Sequence, residues 1–524
     1  MNKKIKAALS VLLVVLTLFC MSMPMFSAAA AYENDLPIIY LYGRGRTLYD
    51  KNGKKIHPFS EDPEDQLMAE FDRLLAAFSS GVLMKNWDIY CNELIDVVNE
   101  IYKDVKLDNN GEASNGSYAK ANPAPKEKKS DYKLKDYVFN YDFRLDPWTI
   151  AADLRAYIDD VLEATGKSKV QLVSRSLGTN FAAAYLARYT KEAKKKIDTC
   201  ILYVPTVKGS IIVSSAFSGE FKFDSELINY YVSNYMNGND DTSELIRAVV
   251  NVTYRMSLLD MGTGAVESVF DQIADTVVPE IIRNSYGSWP SYWSMVDEER
   301  FEKAKLLVFS GVEEEYAGII DKIDRMHNKV TCNFEQTLVS LKNSGVKINV
   351  IAKYNTPVPP LFESSSIQAD GLAELPSLSF GGTAADIGKT LSKSYLDEVK
   401  LSGCIDYVSD DLVIDASTGL FPDYTWYIKD SVHGDFPTCI DNLLYEILHS
   451  KNQYTISSNS KYPQFLQYNS DKKTITPVEA AQPGDGGDSS DSGGGLSGIT
   501  NLLSVFTNLF SKIVGIIKSL LGIN

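Results

Sequence analysis

The sequence predicts an α/β fold on a mainly parallel sheet with helices covering it. Short apolar runs recur at residues 37–42, 137–141, 170–173, 200–205 and 346–351. Helical patterns separate several of these runs at the short intervals that parallel strands with crossover helices require. Ser176, in Val173-Ser174-Arg175-Ser176-Leu177-Gly178, stands where a strand passes directly into an Ala-rich helical stretch ending at Arg188.

Each element follows from local chemistry. Residues 37–42 read as a buried strand running into Gly43-Arg44-Gly45. Residues 104–135 are rich in Asn, Gly, Lys and Pro, the composition of an exposed insertion. A second strand is expected at 137–141. Asp146 then offers an N-cap and Pro147 a first helical position, with Ile150, Leu154, Ile158 and Val161 recurring at helical spacing. Gly166 can close that helix in a left-handed conformation. The strand before Ser176, the helix after it and the run at 200–205 complete a strand–helix–strand–helix–strand series.

Residues 206–300 carry long helical-looking segments and the Ser- and Trp-rich stretch 285–293. They are expected to form a cap inserted over one edge of the sheet. Strands are expected to resume at 305–309 and 346–351, with the remaining reactive residues after them.

The 524-residue chain is 44% hydrophobic and 23% charged, ample for a large core. Its formal charge of −16 argues against a nucleic-acid partner, because phosphate would be repelled. Residues 1–31 read as a signal peptide: Lys3, Lys4 and Lys6 precede an apolar stretch, and Ala28-Ala29-Ala30-Ala31 supplies small-residue cleavage sites. Phe19 is too large to precede a lipidated Cys20, so no lipid anchor is read there. The main domain is expected over 32–476, followed by a Gly/Ser/Asp linker at 477–498. Residues 499–524 are apolar with a polar stripe of Asn501, Ser504, Asn508, Ser511, Gly515, Lys518 and Gly522. That pattern suits an amphipathic helix at a membrane surface.

Cys91, Cys200, Cys332, Cys404 and Cys439 remain beyond the leader, an odd number without metal-ligand spacing. An exported protein permits disulfides, but spacing does not decide pairing. Nothing in the sequence calls for a metal, nucleotide or redox cofactor.

A serine lifted on a tight strand-to-helix turn, with a helix N-terminus behind it, is suited to nucleophilic attack. Such a serine needs a base near its Oγ and a carboxylate to orient that base. His57 falls in a polar loop before the turn, and His327 in a charged helical stretch. His449 ends an apparent helix, where a cation would be favoured. His433, on a loop before that last helix, is the expected base. For the acid, the turn Ser409-Asp410-Asp411 leading into β-branched residues makes Asp411 the first choice and Asp410 the second. Asp370, in Ala369-Asp370-Gly371, is the third. The oxyanion would be met by the N–H of Leu177 and by that of Arg44 or Gly45.

Tyr141-Asp142-Phe143-Arg144-Leu145-Asp146-Pro147, a helix, Gly166, a strand and the Ser-x-Ser-Leu-Gly turn together resemble the lecithin:cholesterol acyltransferase family and its lysosomal phospholipase relatives. The similarity runs with gaps from about residue 37 to 448. It implies an α/β-hydrolase fold, a lipid ester substrate and a Ser–Asp–His triad, with Ser176 as nucleophile, His433 as base and the acid in Asp410-Asp411-Leu412-Val413. Ser174 replaces the first glycine of the family's turn, and Arg175 stands where that family usually has histidine.

The expected activity is that of a secreted serine acyl hydrolase or acyltransferase on lipid esters, attached at a membrane or cell surface through 499–524. Two alternatives are a non-catalytic surface-binding protein on a hydrolase fold and an esterase or thioesterase for small substrates.

Overall fold

Eight strands form one sheet in the computed structural model, which describes residues 35–480 except 44–46, most of 58–87, 122–124, 126–135, most of 223–276, 361 and 363–364. The strands are β1 (Ile38–Leu41), β2 (Asp136–Val138), β3 (Val170–Arg175), β4 (Ile197–Tyr203), β5 (Lys347–Tyr354), β6 (Thr425–Lys429), β7 (Phe465–Asn469) and β8 (Thr474–Pro477). Their spatial order is β2-β1-β3-β4-β5-β6-β7-β8. Every neighbouring pair is parallel except β7 with β8. The expected leader at 1–31, all but the first residues of the expected linker at 477–498, the 499–524 segment and the centre of the expected cap lie outside the described residues.

The period-2 alternation of a strand sends successive side chains to opposite faces. In β1, Ile39 and Leu41 join one core while Ile38 and Tyr40 join the other. Leu172 and Val173 of β3 divide in the same way, as do Leu202 and Tyr203 of β4. Both faces are therefore buried, as a parallel sheet demands.

Seven helices bear on the site or the cores: α1 (Asp88–Tyr102), α2 (Pro147–Thr165), α3 (Gly178–Arg188), α4 (Ile211–Ser218), α5 (Phe301–Phe309), α6 (Ala317–Lys329) and α7 (Thr438–His449). Helix α2 begins and ends where its sequence dictates. The Asp146 carboxylate accepts from the N–H groups of Trp148 and Thr149, and Gly166 closes the helix at φ 69°. Asp146 also pairs with Arg325 of α6 at 2.7 Å.

Two expectations are corrected. Residues 305–309 are not a strand but the second half of α5. Phe301, Ala304, Val308 and Phe309 are buried at helical spacing, whereas Leu306 is 67% exposed. Phe309 stacks on Trp293 at 5.2 Å, so the helix buries one stripe, not alternate residues. Nor is the polar segment after α1 wholly exposed. Val105, Leu107 and Ser117 are buried, and the buried Arg144 guanidinium holds the first and last of them. Arg144 pairs with Asp142 at 2.6 Å and donates to Val105 O at 3.0 Å and Ser117 Oγ at 2.9 Å. The Asp142-Phe143-Arg144 part of the motif thus staples the insertion to the start of α2.

Strand order reverses between β1 and β3: the chain goes from β1 to the edge strand β2, then returns to the other side of β1. In a parallel sheet, such a switch point leaves a crevice beyond the strands' carboxyl ends. Four neighbouring strands leave the sheet there through a left-handed residue: Ser176 (φ 51°) after β3, Val204 (φ 45°) after β4, Asn355 (φ 69°) after β5 and Asp430 (φ 59°) after β6. L-residues pay about 1–3 kcal/mol each for such backbone, which persists only where the surroundings enforce it.

Candidate active site

Ser176 sits in the turn between β3 and α3. Its N–H donates to Tyr203 O at 3.0 Å, and its carbonyl accepts from the Thr179 N–H at 2.8 Å. Gly178 makes this turn possible. A Cβ there would lie 2.5 Å from the Leu41 carbonyl oxygen, so only glycine lets the start of α3 pass the end of β1. Ser174, two residues before Ser176, is fully buried and donates through Oγ to Ile201 O at 3.2 Å.

The Leu177 N–H is among the first of α3, which lack intrahelical acceptors. The loop after β1 comes close to it: a Cβ on Gly43 would lie 3.2 Å from Leu177 N and 3.0 Å from Ser176 Cβ. Arg44 and Gly45, expected to supply the second oxyanion donor, lie outside the described residues.

His433 reaches Ser176 from the loop between β6 and α7. Its Nε2 is 2.7 Å from Ser176 Oγ, and its Nδ1 is 2.6 Å from Asp370 Oδ2. With Nδ1–H donated to the carboxylate, Nε2 is the acceptor for the serine hydroxyl. Asp370 and His433 are both buried. The other Asp370 oxygen accepts from the N–H groups of Leu372 and Ala373 at 3.1 and 2.9 Å. A tight turn with Gly371 at φ 90° therefore fixes the carboxylate from its own backbone.

This arrangement corrects the first choice of acid. The Asp411 carboxylate is engaged elsewhere: Lys429 Nζ lies 2.9 Å away, Tyr354 Oη donates at 3.1 Å and Ser409 Oγ at 2.6 Å. Asp410 is exposed on the same turn. The strand that follows, Ile414–Asp415, pairs with Thr383–Ala384 in a separate two-stranded sheet. Tyr354 and Lys429 end β5 and β6 of the main sheet, so Asp411 is held beside those strand ends but does not meet His433. Asp370 does, on the turn after β5, where the Ala369 carbonyl accepts from the Thr356 N–H.

The other histidines have separate settings. His57 is not in a polar loop but buried in a short strand, with its ring 5.1 Å from Phe143. His327 stacks on Phe301 at 3.8 Å. His449 donates to Tyr445 O at 2.7 Å within α7, and burial lowers its pKa. All five cysteines of the described region are free thiols.

Two buried basic side chains lie near the Ser176–His433–Asp370 line. Arg175 pairs with Asp441 of α7 at 2.6 Å and packs against the rings of Tyr42, Tyr203 and Phe436. Lys353, next to last in β5, donates to the His433 loop. Sequence reading overlooked Lys353. Its signal was a lone lysine inside the apolar run Ile348 to Tyr354.

No protein-family model matches the chain, and no curated protein matches it. Among solved structures it is similar to the crystal structure of the Tle4–Tli4 complex, at 12% identity and a TM-score of 0.25, covering 61% of this chain and 75% of that one. A likeness this slight carries no argument about activity.

Proposed function

We propose that this chain is a serine hydrolase or acyltransferase that works through an acyl-enzyme on ester substrates, lipid esters foremost. The observation that carries the reading is the continuous line Ser176 Oγ, His433 Nε2, His433 Nδ1, Asp370 Oδ2, with contacts of 2.7 and 2.6 Å. It stands at the sheet edge where an α/β-hydrolase fold carries its catalytic residues.

His433 Nε2 takes the Ser176 proton as Oγ attacks the ester carbonyl. The carbonyl electron pair moves onto oxygen, which faces the Leu177 N–H and the positive end of α3. As the carbonyl re-forms, the C–O bond to the leaving alcohol breaks, and His433 returns its proton to that alcohol. Water or an acceptor alcohol then attacks the acyl-serine by the same path. Asp370 keeps Nδ1 protonated and stabilises the transient imidazolium.

Lipid as substrate class is supported by the apolar, stripe-bearing 499–524 segment and by the family resemblance of residues 141–178. Lys512 and Lys518 are that segment's only charged side chains, so attachment to a lipid surface would be chiefly hydrophobic. The leader-like residues 1–31 support export to the cell exterior.

A fluorophosphonate probe tests the chemistry. Covalent labelling of the wild type that disappears in Ser176→Ala supports the proposal; unlabelled wild type, or equal labelling of both, ends it. Comparing turnover of short-chain esters with that of lipid vesicles then separates a lipid enzyme from a small-ester esterase.

A further inference from the structure

Lys353 is fully buried, yet its ammonium is aimed at backbone. Nζ donates to Val432 O at 2.9 Å, to His433 O at 3.4 Å and to Asp435 O. All three acceptors belong to the loop that delivers the base. The rings of Tyr203 and Phe436 lie 5.2 and 4.7 Å from Nζ and shut off one side. The charged groups facing it are Asp370 on the turn after β5, Asp435 in the histidine loop, Arg175 at the end of β3 and Asp441 on α7.

We propose that Lys353 is the positioning residue for His433: it gathers three carbonyls of the base loop and holds the imidazole in line with Ser176. This rests on the serine-hydrolase reading. The loop between β6 and α7 has no regular secondary structure to fix one side chain from within. Here Asp370 holds the histidine on one side, and Lys353 holds its backbone on the other. An ammonium has three N–H donors for three carbonyls. A neutral amine has two, and it turns a lone pair toward oxygen. Burial lowers the Lys353 pKa to about 7, so the clamp weakens as pH rises past neutrality.

The test is the rate of Ser176 labelling by a fluorophosphonate in the full chain between about pH 6 and pH 9.5, for the wild type, Lys353→Met and Lys353→Arg. A misplacement of about 1 Å costs roughly 10²-fold. Lys353→Met should therefore label about 10²-fold more slowly at pH 6.5, with the half-saturating probe concentration little changed. The wild-type rate should fall on the alkaline side of neutrality, and that fall should be absent from Lys353→Met. Labelling of Lys353→Met at the wild-type rate at pH 6.5 would overturn the proposal. If Lys353→Met does not fold, Lys353→Arg stands in: its permanent charge should remove the alkaline fall, and a fall like the wild type's would count against the clamp. Wild type that is unlabelled at every pH would instead remove the hydrolase reading itself.

Discussion

Asp370 holds His433 at two points: its carboxylate meets Nδ1 at 2.6 Å, and its backbone carbonyl accepts from the His433 N–H at 2.7 Å. One residue thus fixes both the ring and the chain that carries it. Asp411 makes neither contact. Asp370→Asn should keep the fold but lose the correct imidazole tautomer, lowering the acylation rate by about 10³–10⁴-fold. Asp411→Asn should leave the rate per folded molecule within about threefold. Its cost should appear as about 1–3 kcal/mol of stability, because Lys429, Tyr354 and Ser409 lose a charged acceptor. Probe-labelling rates and denaturant midpoints measured on both variants separate the two roles.

The parts legible in the sequence were those fixed by short-range physics. The Asp146 cap, the Gly166 terminus and the apolar strand runs at 37–42, 137–141, 170–173, 200–205 and 346–351 depend on neighbours a few residues away, and they read correctly. Ser176 was legible because one dipeptide spacing places a strand end against a helix start. Asp370 was harder to read. An Asp-Gly turn is common, and its place beside His433 comes from chain folding back across the end of β5. The Asp410-Asp411 turn imitated the right local pattern but leads into a strand outside the main sheet. The 305–309 run misled for a similar reason, since a short apolar run does not reveal its period until its partners are known. Lys353 and Arg175 act through contacts with the loop and helix after β6, which no local pattern encodes.

Gly178→Ala should damage the fold, because the new Cβ would meet backbone at Leu41 only 2.5 Å away. Overpacking of this kind costs about 1–3 kcal/mol, and the fall should show in a thermal melt. Gly43→Ala should behave differently. Its Cβ would sit 3.0 Å from Ser176 Cβ and 3.2 Å from Leu177 N, a contact that small shifts can relieve. It crowds the approach to a proposed oxyanion donor, so the labelling rate should drop, by up to about 10²-fold, with the melting temperature nearly unchanged. Equal stability losses in the two variants would argue against this distinction.

Removing one member of the Arg175–Asp441 pair should be costly, since both side chains are 3% exposed. A lone buried charge costs about 3–5 kcal/mol. Arg175→Met should be the worse single change, because it also empties the space between the Tyr42, Tyr203 and Phe436 rings. Burial already raises the Asp441 pKa despite its arginine, so this carboxyl can escape by taking a proton. Arg175→Met combined with Asp441→Leu should regain most of the loss. Urea unfolding of the two single variants and the double gives the coupling directly.

Lys353 also makes a signed prediction about stability. Its pKa falls from 10.5 to about 7 on folding, so the folded protein prefers the neutral amine. For a group lowered in this way, the stabilising contribution is complete above the unfolded pKa. It shrinks as pH falls toward the folded pKa and is gone below it. The wild type should therefore lose stability relative to Lys353→Met as pH drops from about 10.5 to about 7, with no further change below. The relative shift should amount to a few kcal/mol, from the size of the pKa change. Unfolding free energies of both proteins at pH values across that range would show it. A difference that stays constant with pH would mean the lysine keeps its proton throughout, and that the alkaline fall in labelling must have another source.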